Sequence, residues 1–249
     1  MRRFVAFVSL LFFCMGTVVA QSGYPYTQVP FTSVKITPNT FWGDRIKAAR
    51  EVTIPLAFSK CESEHRYKNF DMAAYTLQHP GHEGLKTREW DVAKFMGFSF
   101  DDTDVYKTIE GASYVLQTYP DAKLKAYIDS VLDVVGAAQE PDGYLYTART
   151  INPEHPHGWA ANRRWAAEEH ASHELYNLGH MVDAACAHYQ ATGSTKFLDI
   201  AKRYADCVVK EVGPNAGQAC VVPGHQIAEI ALARLYVLTG DKKYLDAAQ

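Results

Sequence analysis

The sequence predicts an all-α protein whose helical hairpins stack into part of an α/α toroid. Two observations predict this fold: the chain repeats itself near its end, and short breaks containing Gly or Pro separate its helical segments. A fixed period of this size is typical of stacked supersecondary units that bury their apolar faces against their neighbours. The second copy is shorter than the first, so we expect only part of a toroid. The repeat places seven residues 47 positions later: Tyr189, Thr192, Gly193, Phe197, Leu198, Asp199 and Ala201 recur as Tyr236, Thr239, Gly240, Tyr244, Leu245, Asp246 and Ala248.

The first 20 residues have the pattern of a signal peptide. Arg2 and Arg3 precede an apolar run that ends near Met15, and small residues lead to a cleavage site after Ala20. The apolar run is shorter than the ~20 residues that span a bilayer. We therefore expect export to the periplasm or the extracellular space, without a membrane anchor.

An extended segment, residues 21–40, is predicted before the helical domain of residues 41–249. It includes one short β-strand from Val29 to Ile36, where β-branched residues alternate with others. Gly193 and Gly240 suit the left-handed C-cap of a helix. Helices are predicted at 42–62, 103–118, 121–138, 172–192, 195–212 and 225–239, with another that begins near 242.

The two helices of each predicted hairpin differ in character. The first members, which begin near 103, 172 and 225, are small and apolar over much of their length. The second members carry charge on one face, as at Lys202 and Arg203. This alternation predicts an inner ring of closely packed helices and an outer ring that faces solvent. The pattern favours a toroid over a coiled-coil array because no heptad persists.

Charge and cysteine spacing exclude several classes of partner. The formal charge is −3, and it becomes −5 without Arg2 and Arg3, so no basic surface is expected for nucleic acid or anionic membranes. The four cysteines beyond the signal peptide are not paired at a zinc-type spacing, so no metal site is predicted within this sequence. Which of them could form a disulfide stays open.

Each predicted inner helix begins with a polar cluster, and a toroid brings these starts to one end of the ring. Asp102 and Ser172 are either helix N-caps or site residues, and both alternatives stay open. His173 and His225 occupy equivalent starts, where histidine is not a favoured cap. An imidazole both donates and accepts hydrogen bonds, so these two are candidate partners of sugar hydroxyls. His180, two turns below His173, is predicted to lie in the core.

No carboxylate pair stands out as a glycosidase acid and base, although Glu169, Glu174, Glu229 and Asp104 are candidates. Glu229 follows His225 by one turn and is predicted to hold its ring. Residues 141–171 interrupt the hairpins and are predicted to fold over one end of the toroid. Two tryptophans in that segment, Trp159 and Trp165, either stack on sugars or pack the segment down.

These motifs, taken in order, resemble the exported β-L-arabinofuranosidases of glycoside hydrolase family 127. The resemblance covers Val34 to the end of the chain. It is carried by Val34–Thr37 with Phe41-Trp42, Asp102–Lys107, Gln139–Leu145, Ser172–Tyr176 with Gly179-His180, Tyr189–Gly193 and Gly224-His225.

The resemblance implies an (α/α)6 barrel, of which this chain holds about the first half, followed by β-sandwich domains. In that family a zinc-bound cysteine is the nucleophile, two further cysteines and a glutamate complete the zinc site, and another glutamate is the acid/base. The resemblance puts all of these residues beyond position 249, so no catalytic or metal-binding residue is expected here and the 249 residues alone should be inactive. It implies substrate contacts by His173, His225, Asp104 and Asn69.

The function implied by the resemblance is retaining release of L-arabinofuranose from plant glycans. Two alternatives are kept. One is an α/α-toroid glycoside hydrolase or lyase that uses carboxylates of this segment. The other is a non-catalytic α/α protein that binds glycans.

Overall fold

The computed structural model describes residue 26, residues 28–81 and residues 95–249. The predicted signal peptide lies outside these residues. Contacts divide the chain into two units, Met1–Val34 and Lys35–Gln249. Within the described part of the chain, no helix is long and apolar enough to cross a membrane.

The predicted strand from Val29 to Ile36 is wrong. Phe31–Ser33 form a single 3-10 turn after Pro30, and the described residues contain no strand, only one isolated bridge between Val212 and Ala219. The alternation of β-branched residues cannot make a strand without a partner to accept its backbone hydrogen bonds. Pro30 also fixes φ and removes one donor at this point.

The first predicted helix forms, with a local irregularity. It runs as α1 (Phe41–Ala48), a π-helical turn (Ala49–Thr53) and α2 (Ile54–Ser63) without a break. Thr40 caps α1 by accepting a hydrogen bond from the Gly43 N–H at 3.2 Å. The π turn comes directly before Pro55, which lacks the N–H that would bond one turn back. The wider turn absorbs that missing donor.

Helix α3 (Arg66–Gln78) has no counterpart among the predicted helices. Its buried face mixes Asn69 and Thr76 with the apolar Phe70, Met72 and Ala73. An apolar stripe interrupted by polar residues weakens the periodic pattern that identifies a helix. Tertiary hydrogen bonds satisfy those polar groups, and only the fold supplies them.

A short helix at Thr147–Thr150 has no predicted counterpart. The other helices lie within two residues of every start and end that was predicted. Gly193 and Gly240 have φ of 72° and 74° and end their helices as predicted. Asp121 caps α5 by accepting from the N–H groups of Lys123 and Leu124. These helices are α4 (Asp102–Thr118), α5 (Ala122–Ala137), the short α6 (Thr147–Thr150), α7 (Glu174–Thr192), α8 (Lys196–Glu211), α9 (Ile227–Thr239) and α10 (Lys242–Ala247).

The predicted inner and outer layers are confirmed. Helix α7 packs between α4 and α9, whereas α8 contacts α5 and α10. The close approach of α7 and α9 depends on Gly179, because a Cβ there would lie 2.7 Å from the carbonyl carbon of Ile227. The start of α9 is thereby held against the first half of α7.

The long segment of residues 141–171 folds onto the hairpins. Trp165 is 3% exposed, its ring stacks on Tyr204, and its Nε1 donates to Glu211 at 2.9 Å, so this tryptophan packs the segment down. Trp159 is 43% exposed and lies beside Phe98 and Phe100. The two tryptophans therefore lie in different environments, one buried and one half-exposed.

Candidate functional site

The two predicted histidines lie together at the start of the inner helices. The ring centroids of His173 and His225 are 5.3 Å apart, and Tyr176 lies 5.7 Å from the first ring and 5.1 Å from the second. All three side chains line a cavity of about 120 Å³. Glu168, Glu169, His170 and Gly224 complete its wall. A Cβ on residue 224 would lie 3.5 Å from the carbonyl oxygen of Glu168.

The backbone of His173 adopts an unusual conformation. Its φ of 60° and ψ of 29° are left-handed, and it precedes α7 without capping it. Its Nδ1 lies 2.5 Å from the carbonyl oxygen of Ala171. A carbonyl only accepts, so Nδ1 carries the proton, and Nε2 is the ring nitrogen that can accept in the neutral imidazole. Phe100 packs edge-on against the ring at 5.1 Å.

Tyr176 connects this pair to two further side chains. Lys107 Nζ donates to the Tyr176 hydroxyl at 2.8 Å, and the His180 ring lies 4.5 Å from the tyrosine ring. Burial and the charge of Lys107 lower the pKa of His180 to about 4, so this imidazole is neutral at neutral pH. Sequence reasoning did not select Lys107, although it follows Asp104 by one turn on the same face of α4.

Asp104 and Asn69 are placed differently from the histidines. Asp104 Oδ2 accepts from Arg66 Nε at 2.9 Å, and Arg66 also pairs with Asp101 at 3.0 Å. Asn69 is fully buried, and its amide exchanges hydrogen bonds of 2.8 and 3.0 Å with the backbone of Met96. Asp104 thus lies one turn from Lys107, whereas the Asn69 amide is already occupied. Their contact with sugar stays a prediction.

Neither Asp102 nor Ser172 is an N-cap. Asp102 accepts from the backbone N–H and hydroxyl of Thr147 at 2.9 and 2.6 Å, so it anchors α6. Helix α7 is capped instead by Glu168, which accepts from the N–H groups of Glu174 and Leu175 at 2.7 and 3.2 Å. Glu168 lies outside the helix, six positions before Glu174. Local capping rules do not describe a cap at this spacing.

Glu174 is unsuited to touch a sugar. It is 2% exposed, and its oxygens accept from the Tyr144 hydroxyl at 2.6 Å, the Ser172 hydroxyl at 2.8 Å and the Trp165 N–H at 2.9 Å. Burial raises its pKa. Glu229 does not form the predicted bond to His225: its Oε2 is buried and has no hydrogen-bond partner among the described residues.

Among the described residues, one cluster has the composition of a metal site. Its members are Asp142, Cys207 and Glu211, whose potential ligand atoms lie within 4.8 Å of one another. The Arg164 guanidinium occupies this cluster and donates to Asp142 at 2.6 Å and to Glu211 at 3.1 Å. Burial raises the pKa of the Cys207 thiol to about 12, which disfavours the thiolate that zinc requires. These residues fit a guanidinium and not a zinc ion.

Comparison with known proteins gives the family. The model of the β-L-arabinofuranosidase GH127 catalytic domain matches residues 33–249. The chain is 42% identical over 156 residues to a non-reducing end β-L-arabinofuranosidase of Bifidobacterium longum, an alignment that covers 63% of this chain and 23% of that protein.

Two solved structures have the same fold. A GH127 β-arabinofuranosidase is 65% identical with a TM-score of 0.79, and the match covers 88% of this chain and 32% of that one. A GH127 β-L-arabinofuranosidase from Geobacillus stearothermophilus T6 is 33% identical with a TM-score of 0.74, covering 87% and 32%. The chain therefore spans about a third of the solved relatives and about a quarter of the curated one. It belongs to the GH127 β-L-arabinofuranosidase catalytic-domain family.

Proposed function

We propose that this protein is an exported glycoside hydrolase that releases L-arabinofuranose from plant glycans. The observation that carries the proposal is the cavity formed by His173, His225 and Tyr176 in a chain of this family. The names of the relatives support the sugar and its β-linkage. The pattern of the first 20 residues supports export.

The cavity has the chemistry of a sugar-binding site, because the side chains of His173, His225 and Tyr176 surround a space of about 120 Å³. His173 Nε2 accepts a hydrogen bond from a sugar hydroxyl. Lys107 adds a hydrogen-bond donor, and the Tyr176 hydroxyl adds a further polar group. The rings of His173, Tyr176 and His225 line the cavity and suit the C–H surface of a furanose ring. These groups bind and orient the sugar.

The reacting groups are proposed to lie outside residues 1–249. This follows from the family resemblance, which also implies a retaining reaction with a cysteine nucleophile. Zinc bound at a cysteine would supply a thiolate at neutral pH. Asp104 and Asn69 are proposed as further contacts near the same end of the ring. The described residues supply binding, and we assign no step of bond cleavage to them.

A direct assay tests this proposal. The full-length protein should hydrolyse an aryl β-L-arabinofuranoside and leave the α-anomer untouched. Proton NMR of the first product should show that the β configuration is retained. Hydrolysis with inversion would contradict the retaining mechanism. Binding of arabinofuranosides without any hydrolysis would favour the alternative of a non-catalytic glycan-binding protein.

A further inference from the structure

We propose that Glu168 is a positioning residue of the sugar pocket: its buried carboxylate holds the first turn of α7 and thereby fixes His173 in the conformation that turns its ring toward His225. This inference rests on the proposed function, because it assigns a role within the same pocket. Glu168 belongs to the lining of the cavity but is 3% exposed, and both of its oxygens accept from backbone N–H groups of α7. It therefore acts through His173 and not on the sugar itself.

The need for such a residue follows from the backbone of His173. A non-glycine residue in the left-handed region is sterically unfavourable and persists only where its surroundings enforce it. The His173 side chain does not cap α7, so the first N–H groups of the helix need another acceptor. Glu168 provides both of its oxygens to the N–H groups of Glu174 and Leu175, directly after the histidine.

The residue before His173 is held by the same network. The Ser172 hydroxyl lies 3.1 Å from Glu168 Oε2 and 2.8 Å from Glu174 Oε2, and its carbonyl oxygen accepts from the Tyr146 hydroxyl. Ser172 is fully buried. Both neighbours of His173 are thus tied to buried groups, which leaves its imidazole as the side chain that reaches the cavity.

The bridge between the two carboxylates lacks a proton when both are ionised. Ser172 has one hydroxyl hydrogen, which it donates to the nearer oxygen of Glu174. Its oxygen then faces an ionised Glu168 without a hydrogen between them. A proton on Glu168 completes the chain from Glu168 through Ser172 to Glu174.

Burial and the charge of Glu174 raise the pKa of Glu168 to about 7, so this proton is present below neutral pH and leaves above it. The hydroxyls of the surrounding tyrosines stay protonated throughout this range, because burial raises their pKa values well above the usual value. Several charged or titratable groups surround Glu168. They are the carboxyl group of Glu174, the guanidinium of Arg149, the buried hydroxyls of Tyr144, Tyr146 and Tyr204, and the imidazoles of His170, His173 and His225 along the cavity.

Steady-state kinetics of the full-length protein test this role with three variants. Glu168→Ala removes the cap, Glu168→Gln keeps one acceptor oxygen and cannot ionise, and Glu154→Gln changes an exposed glutamate of the same segment as a control. We expect E168A to raise KM for an aryl β-L-arabinofuranoside about tenfold or more, with kcat changed less than KM. At pH 6, E168Q should raise KM less than E168A does, because it keeps one of the two acceptor oxygens. A merely structural role would lower the active fraction, and hence the apparent kcat, without raising KM.

The pH dependence provides a second measurement that does not need E168A to fold. As Glu168 ionises between pH 6 and 8, KM of the wild type should rise relative to KM of E168Q. The melting temperature of the wild type should also fall relative to that of E168Q, because a carboxyl whose pKa is raised by folding stabilises the fold below that pKa and loses this contribution above it.

Two results would overturn the inference. One is a KM of E168A within twofold of E154Q, and the other is parallel KM curves for wild type and E168Q from pH 6 to 8. If the wild type hydrolyses the arabinofuranoside, either result removes the role of Glu168 alone. If the wild type hydrolyses no arabinofuranoside, the proposed function fails and this inference fails with it.

Discussion

Gly179 of α7 touches the backbone of Ile227, the first residue of α9: a Cβ on the glycine would lie 2.7 Å from the Ile227 carbonyl carbon. This contact sets the distance between the two helices whose starts carry His173 and His225. The 5.3 Å separation of the two imidazoles is therefore tied to a residue almost two turns below them.

Gly179→Ala should force α9 away from α7. We expect a loss of about 1–3 kcal/mol of stability, as for other overpacked cores, together with a higher KM because His225 shifts away from His173. Thermal melting and steady-state kinetics of the full-length protein measure both effects. Gly158→Ala is the matched control, since nothing lies within 4 Å of a Cβ there. Equal melting temperatures for the two variants would contradict the close contact.

His173→Ala and His225→Ala should each weaken substrate binding. Loss of one hydrogen-bonding imidazole is expected to raise KM about tenfold, while the melting temperature changes little because both rings face the cavity. The double variant should lose less than the sum of the two single effects, since the rings are in contact. His155→Ala, at an exposed position, serves as control. Unchanged KM in both single variants would remove the pocket from the proposed function.

Glu174→Gln and Glu229→Gln separate the proposed mechanism from one that uses carboxylates of this segment. A carboxylate mechanism requires nearly complete loss of kcat in one of them. We expect each variant to retain measurable turnover, because Glu174 is buried among Tyr144, Ser172 and Trp165. Rates of an aryl arabinofuranoside at saturation decide the question. A fall in kcat beyond about a thousandfold in a normally folded variant would support the carboxylate alternative.

Arg164→Ala should destabilise the packing of residues 141–171. The guanidinium neutralises Glu140, Asp142 and Glu211, so its removal leaves three acids in close proximity. We expect a loss of about 1–3 kcal/mol, discounted because these side chains are partly exposed. Urea denaturation measures the change, and the exposed neighbour Arg163→Ala is the control. If both variants unfold at the same urea concentration, the cluster does not hold the segment.

Asp102 should make stability depend on pH. Burial raises its pKa from 3.8 to about 7, so the fold favours the protonated acid. Its contribution is fully present below the pKa of the unfolded chain and is lost as pH rises through about 7, by up to about 4 kcal/mol. Asp102→Asn should flatten the fall of melting temperature between pH 5 and 8, whereas the exposed Asp199→Asn should not. Identical slopes for wild type and D102N would contradict the raised pKa.

Local pattern was sufficient for most of the helices. The apolar periodicity of α7 and α8 and the glycines at 193 and 240 place helix ends within two residues, because C-caps and amphipathic faces are local properties. Prediction from local pattern failed where a secondary-structure element depended on partners distant in the sequence. Helix α3 was missed since the buried Asn69 is satisfied by Met96, 27 positions away, and the strand at Val29–Ile36 was wrong since no partner strand exists among the described residues.

Some residues of the candidate site could likewise be predicted from the sequence, and others could not. His173 and His225 were identifiable from their places at equivalent helix starts, before any distance was known. Lys107 and Glu168 were not selected, because their roles arise from contacts with α7 that span 69 and at least six positions. Charge and spacing in the sequence alone do not distinguish such residues from charged side chains that are exposed to solvent.

The sequence by itself determined the order of the hairpins, the alternation of inner and outer helices, and the two histidines at one end of the ring. Periodicity, capping glycines and repeat length are encoded in neighbouring residues, so they can be recognised without coordinates. Only the tertiary structure decided which acid caps α7, which cation fills the Asp142–Cys207–Glu211 cluster, and how closely α7 and α9 approach. Those outcomes depend on burial and on hydrogen bonds between distant segments, and neither exists until the chain is packed.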